Sequence, residues 1–151
     1  MKIKLWFFGK KNELTDFEQE MLKRIGFRCD FEIIPISQAG INDPSVAKKM
    51  ESDLILNKIS DRDFVVIFDE RGEEFDSVEF SKKLKKWFIA YGTVHFVIGG
   101  AHGHDKKVRE RANVLLRFGK MVWTRNLFRQ MACEQIYRAM EIDAGSNFHK
   151  T

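Results

Sequence analysis

Cysteine is scarce in this chain: Cys29 and Cys133 are the only two, they stand far apart, and neither falls in a metal-ligating spacing. A disulfide framework is therefore not expected, and two inert thiols are the plain reading. Long apolar runs are also missing. None approaches the roughly 18 to 20 residues of a membrane-spanning helix, and the opening Met1-Lys2-Ile3-Lys4-Leu5 lacks the apolar region of a secretory signal. A soluble, cytoplasmic protein is the expectation. Internal repeats and low-complexity tracts are absent. Neither Gly9-Lys10 nor Gly119-Lys120 lies in the spaced Gly-Lys-Ser/Thr pattern of a phosphate-binding loop. A receiver-type phosphoacceptor at Asp69 would need an acidic pair where Phe8-Gly9 stand and a lysine where Thr124-Arg125 stand. Gly99, Gly100 and Gly103 do not open the first strand-helix unit, so they make a poor dinucleotide fingerprint. His102, His104 and His149 complete no ligand spacing with cysteine or carboxylate, and no metal is expected.

What is present suffices for a core. Apolar residues make up 44% of 151 positions and fourteen are Phe, which fits a single domain over residues 1–151. Charge is unevenly placed. Up to residue 104 the two signs nearly cancel, whereas beyond it ten cations face five carboxylates. A basic C-terminal third suits a polyanion such as RNA, although solubility alone would also account for it.

Periodicity gives the element order. Residues 3–8 form a short apolar, aromatic-rich run stopped by Gly9, as a buried strand does. Leu14, Phe17, Met21 and Ile25 are at helical spacing across residues 13–24, with Gly26 as the stop. Residues 31–34 read as a second strand ended by Pro35, and residues 37–42 as loop. Asp43 caps a helix with Pro44 in its first turn, and Val46, Met50, Leu54 and Ile59 mark its expected inner face. Residues 63–68 are apolar on both faces, as a central parallel strand must be, and Asp69-Glu70-Arg71-Gly72 should turn away from its end. Asp76 with Glu79 signals a capped helix whose stripe is Phe80, Leu84, Trp87 and Phe88.

A fourth strand over residues 94–98 runs into the Gly-Gly turn. Asp105 then starts a helix expected to turn Val108, Ala112, Leu115 and Leu116 inward, and residues 120–123 read as a fifth strand. The last helix, to about residue 141, is apolar around most of its circumference. It should need cover on two sides, with a second copy of the chain as the expected second cover and Ile136 or Met140 facing it. Alternation of strand and helix means an α/β fold, a mostly parallel sheet with helices on both faces. Ligands bind such sheets beyond the carboxyl ends of strands, where the turns at residues 68–72, 99–103 and 118–125 gather. Arg125 and Arg129 share one face of the last helix, and Glu134 and Arg138 are spaced for an ion pair.

Together, Phe68-Asp69-Glu70-Arg71-Gly72, Phe96-Val97-Ile98-Gly99-Gly100-Ala101-His102-Gly103, Phe118-Gly119-Lys120-Met121, Arg129 with Glu134-Gln135-Ile136-Tyr137-Arg138-Ala139, and the terminal Phe148-His149-Lys150 closely resemble the ribosomal RNA large-subunit methyltransferase H family. The likeness spans essentially the whole chain. It implies a SPOUT fold with a C-terminal deep trefoil knot, and a homodimer. It also implies S-adenosylmethionine-dependent methylation of N3 of a pseudouridine in 23S ribosomal RNA on the assembled ribosome. By motif, the resemblance assigns the cofactor to Phe68, Gly99, Phe118, Gly119, Lys120, Met121, Val122 and Trp123. Arg138 becomes the candidate for stabilising developing charge, His149 a candidate base or clamp for the target nucleotide, and Arg125 and Arg129 candidate RNA contacts. Thr124-Arg125 and Asn147-Phe148 depart from the family's usual Pro-His and Pro-Tyr. Arg125 can bind anions in bidentate fashion but cannot act as a base. These departures keep open a noncatalytic RNA- or ribosome-binding protein as the rival reading.

Overall fold

Segments such as Val65-Val66-Ile67 are apolar on both faces, which is stable only in a strand covered above and below. The computed structural model, which describes residues 1–150, builds its sheet from such strands. They are β1 (Lys2–Phe8), β2 (Asp30–Ile36), β3 (Phe64–Glu73), β4 (Thr93–Ile98) and β5 (Val114–Leu116), in the order β2-β1-β4-β3-β5 with every pairing parallel. The connecting helices are α1 (Asp16–Gly26), α2 (Pro44–Leu56), α3 (Ser77–Tyr91), α4 (Lys106–Arg111) and α5 (Arg125–Asp143). Helices α1, α3 and α5 cover one face, where Ile3, Leu5, Phe7, Val66 and Phe96 meet Met21, Leu84 and Ile136. Helices α2 and α4 cover the other, over Trp6, Phe8, Val65, Ile67 and Val97. The expected α/β architecture is what the chain adopts.

Several boundaries differ from the sequence expectation. Helix α1 begins at Asp16, because Thr15 and Glu18 form a reciprocal capping box and residues 11–13 make a single 3₁₀ turn. Strand β2 runs through Pro35 instead of stopping there. It is an edge strand, so the missing N–H costs no ladder bond. Strand β3 continues past Phe68 to Glu73, with an irregularity that lets both residues pair with Leu116. Gly72 makes this crossing possible, since a β-carbon there would lie 2.6 Å from the Leu116 backbone.

The helix expected from Asp105 to Leu116 ends at Arg111. Asn113 ends it by exchanging two bonds with Val65: its amide donates to the Val65 carbonyl and its side-chain oxygen accepts from the Val65 amide. Leu115 and Leu116 then pair with Ile67 and Phe68 as β5. Residues 120–123, expected as the fifth strand, form an exposed connection instead. On α2 the expected inner face is wrong as well: Val46, Met50 and Leu54 are exposed, and Ala47, Glu51, Ser52 and Ile55 are buried.

Helix α5 does need cover on two sides, but α1 and α3 of the same chain supply it. Ile136 and Met140 are buried in that packing within the single chain. Ser81 Oγ donates to the Ala139 carbonyl and Ser77 to Gln135, which fixes α3 against α5. On the α1 side the clamp is ionic. Arg129 and Glu18 are both fully buried and paired, with Arg129 Nη2 donating to Glu18 Oε2 at 3.1 Å and to the Glu13 carbonyl at 3.1 Å. The guanidinium also lies 4.3 Å from the Phe7 ring centroid. Removing one partner strands a buried charge. Arg129→Met should therefore lower unfolding free energy by roughly 3–5 kcal/mol in urea titrations, whereas R129M with E18M should recover part of that loss.

Candidate active site

Parallel strands deliver their following turns to one edge of the sheet, and three of these turns here enclose a cavity of about 1000 Å³. One wall is Phe68 to Arg71 on β3, the second runs from Ile98 to His104 after β4, and the third from Leu116 to Asn126 between β5 and α5. Its apolar wall is a three-ring cluster. Phe68 is 5.2 Å from Phe118 and 4.9 Å from Phe128 between centroids, and Phe118 lies 5.1 Å from Phe128. All eight residues expected to hold a cofactor, Phe68, Gly99, Phe118, Gly119, Lys120, Met121, Val122 and Trp123, line this cavity. Gly119 adopts φ +86°, a conformation costly for other residues, and this sets the bend of the third wall. Size, an aromatic wall and backbone exposed at a glycine turn fit an adenosyl group, whose base needs a flat apolar slot and edge hydrogen bonds.

The rim is cationic. Lys48, Arg71, Arg109, Arg117, Lys120 and Arg125 line the cavity against Asp69 and Glu70. Lys48 reaches this rim from α2 and Arg109 from α4. Arg125 is half-buried, its Nη2 3.2 Å from Glu13 Oε2, and its Nε is buried without a partner. It thus lines the cavity while tethered to residue 13. Arg129 does not. Its full burial against Glu18, Glu13 and Asn126 leaves no route to RNA or a cofactor, so the expectation of a ligand contact at Arg129 is corrected.

Arg138 and His149 are brought together, but elsewhere. Arg138 pairs with Glu134 through Nε at 3.0 Å and through Nη2, as its spacing suggested. Its Nη1 reaches His149 Nδ1 at 3.2 Å. The guanidinium lies 4.8 Å from the Phe148 centroid, and Phe148 meets Tyr137 edge-on at 4.9 Å. The tail therefore folds back on α5. Guanidinium has no acceptor, so His149 Nδ1 must accept and its proton sits on Nε2. In this arrangement His149 presents a donor rather than a base. Neither residue lines the cavity, and thirteen residues of helix separate Arg138 from Arg125, roughly 20 Å of rise.

Two buried histidines lie outside these assignments. His95, in β4, accepts from Trp6 Nε1 at 2.9 Å on Nδ1 and therefore donates from Nε2 to Asp63 at 2.8 Å. Burial lowers its pKa against the opposing pull of Asp63. His104 lines the cavity, is 6% exposed and has no partner at Nε2. Burial pushes its pKa down to about 4, outweighing Asp69 and the Phe68 backbone, with Arg109 and Lys48 acting in the same direction as burial. Among the described residues no group of three or more His, Cys, Asp or Glu gathers as a metal site, and no helix is long and apolar enough to cross a membrane.

Comparison with known proteins adds to this geometry. A family described as "predicted SPOUT methyltransferase" matches residues 1–149. Proteins named ribosomal RNA large subunit methyltransferase H from Streptococcus pneumoniae strains CGSP14 and 70585 and from serotype 4 strain TIGR4 are each 38% identical over 159 residues. Each alignment covers 99% of this chain and 100% of the relative.

The depressed histidines set the sign of one pH effect. Between the ordinary value near 6.5 and about 4, the unfolded chain binds more protons at residue 104 than the folded one. Folding stability should therefore fall on acidification through that window, by up to about 1.4 kcal/mol per pH unit. Urea unfolding at pH 7 and pH 5 should show the loss, and His104→Leu should flatten it. An unchanged slope in that variant would contradict the assignment.

Proposed function

The chain belongs to the SPOUT methyltransferase family, and on that premise we propose that it transfers a methyl group from S-adenosylmethionine to N3 of a pseudouridine in 23S ribosomal RNA, working as a homodimer on the ribosome. The observation that carries this reading is the cavity built by three strand-end turns, with its phenylalanine wall and cationic rim. SPOUT methyltransferases generally use S-adenosylmethionine and have a C-terminal knot, and we extend both properties to this chain. Bound S-adenosylmethionine would supply a methyl group already activated on a sulfonium.

The protein's own task is then alignment and charge. Phe68, Gly99 and residues 118–123 would hold the adenosyl group, with backbone amides and carbonyls reading the base edge. N3–H of a pseudouridine is a weak acid, and negative charge spreads to the two flanking carbonyl oxygens as its proton leaves. N3 gains the methyl, its proton passes to solvent water, and the sulfonium becomes the neutral thioether of S-adenosylhomocysteine. Donors aimed at those oxygens favour the reaction, and Arg138 together with the Nε2–H of His149 offers two of them. Arg125 and Lys120, at the cavity mouth, suit phosphates of the RNA.

Homodimerisation follows from separation. Cofactor cavity and Arg138–His149 pair lie at opposite ends of α5, so a complete site needs the pair from a second copy. Met121, Val122 and Leu127 are exposed beside the cavity, and Phe148 is exposed at the tail. A two-fold axis would set each patch against the other twice, as isologous contacts do.

Four measurements test this. Calorimetric titration should show S-adenosylmethionine binding, and mass spectrometry of 23S RNA from a strain lacking the gene should regain one methylated pseudouridine on complementation. Cofactor binding with an unchanged methyl inventory would instead support the noncatalytic RNA-binding alternative. Arg138→Ala should lower the methylation rate on the order of 10²-fold or more while leaving the protein folded. Val122→Glu with Met121→Glu should convert the dimer to monomers in sedimentation; a native protein that is already monomeric at micromolar concentration would refute the shared site.

A further inference from the structure

His104 is a buried polar side chain whose hydrogen-bonding capacity is only partly used. It precedes α4, lines the cavity, and is 6% exposed, yet its Nε2 has no partner among the described residues. Buried acceptors are rarely left this way in a native fold. A neutral imidazole carries a proton on one nitrogen and a lone pair on the other. Burial and the cations Lys48 and Arg109 keep this ring neutral at physiological pH.

Nε2 is buried and lies against Gly99, at the wall of the cavity. A β-carbon on Gly99 would stand 3.0 Å from Nε2 and 3.3 Å from the two adjoining ring carbons, so only glycine at that position spares the ring from crowding. Arg109 Nη1 donates to the His104 carbonyl, not to its ring. A partner must therefore come with whatever occupies the cavity. A cationic amino group is disfavoured beside Lys48 and Arg109, which leaves neutral hydroxyl or amino donors.

We propose that His104 is a positioning residue for the adenosyl ligand, its Nε2 accepting a hydrogen bond from a neutral donor of the adenosine portion, either a ribose hydroxyl or the 6-amino group. The inference rests on the methyltransferase reading above and deepens it by naming a residue that selects the ligand. His104 carries out no chemistry and touches no reacting atom. It discriminates because a ligand lacking the right donor leaves the buried lone pair unsatisfied.

The test is calorimetric titration of S-adenosylhomocysteine and of its analogues lacking the 2′-hydroxyl, the 3′-hydroxyl or the 6-amino group. In the native protein one analogue should bind roughly tenfold more weakly than the parent. In His104→Leu that ratio should fall to about one, and in His104→Gln, which keeps an acceptor, part of it should survive. Thermal midpoints of the ligand-free proteins provide the folding control, with His104→Leu expected to equal or exceed the native protein because an unpaired buried acceptor is gone. His104→Met serves as a second variant without a strong acceptor. Three ratios that are the same in native and Leu or Met proteins would overturn the proposal, which is also the result expected if an ordered water satisfies Nε2. No binding of the parent to the native protein would instead overturn the methyltransferase reading, and this inference with it.

Discussion

Glu18 is where two requirements of the fold meet. Its carboxylate accepts from the Thr15 amide to cap α1, and it also neutralises Arg129 of α5 in a place without solvent. Desolvating both ions is expensive, and the pair is worthwhile only because almost every donor and acceptor around it is satisfied. The return is geometric. It fixes the first turns of α5 against residues 13–18, and the end of that helix fixes the approach of residues 117–124. The third wall of the cavity is therefore held from behind by an interaction that never touches a ligand.

The cavity itself is made largely of backbone and aromatic surface. Its carboxylate and imidazole lining is Asp69, Glu70, His102 and His104, and the Arg138–His149 pair sits at the far end of α5. In the proposed dimer such a division would separate ligand retention, within one chain, from charge stabilisation, supplied by a second copy. Arg125 lies between the two tasks. Tethered to Glu13, it stands at the cavity where the family pattern has a histidine, in the place proposed for an anion contact.

Much of this was legible in the sequence where local chemistry is unambiguous. Asp43 before Pro44, and Asp76 with Glu79, mark helix starts that the structure reproduces, because a cap is a local hydrogen-bond device. The three strand-end turns were legible from glycine and from the sheet rule. What failed was decided at longer range. Val108, Ala112, Leu115 and Leu116 fit helical spacing, yet Asn113 finds Val65 and the last leucines become strand. The exposed Val46, Met50 and Leu54 mimic a core stripe. Arg129 looked like a surface cation because nothing near it in sequence announces Glu18. His104 carries no mark in the sequence that sets it apart from His102, since burial at a cavity wall leaves no local trace.

The register of the sheet has a further consequence, for assembly of the chain itself. One of the two inner pairings joins β1 to the central β4, with Lys2 beside Thr93 and Trp6 bonded to His95. The first strand to be synthesised therefore has no permanent neighbour on its inner side until residue 98 has emerged, and the closure entropy of that long loop must be met before the pairing returns anything. Helix α5, with the buried arginine that locks it, arrives later still. A slow, late-committing folding reaction, reported by Trp6 as its indole leaves water, is built into the strand order.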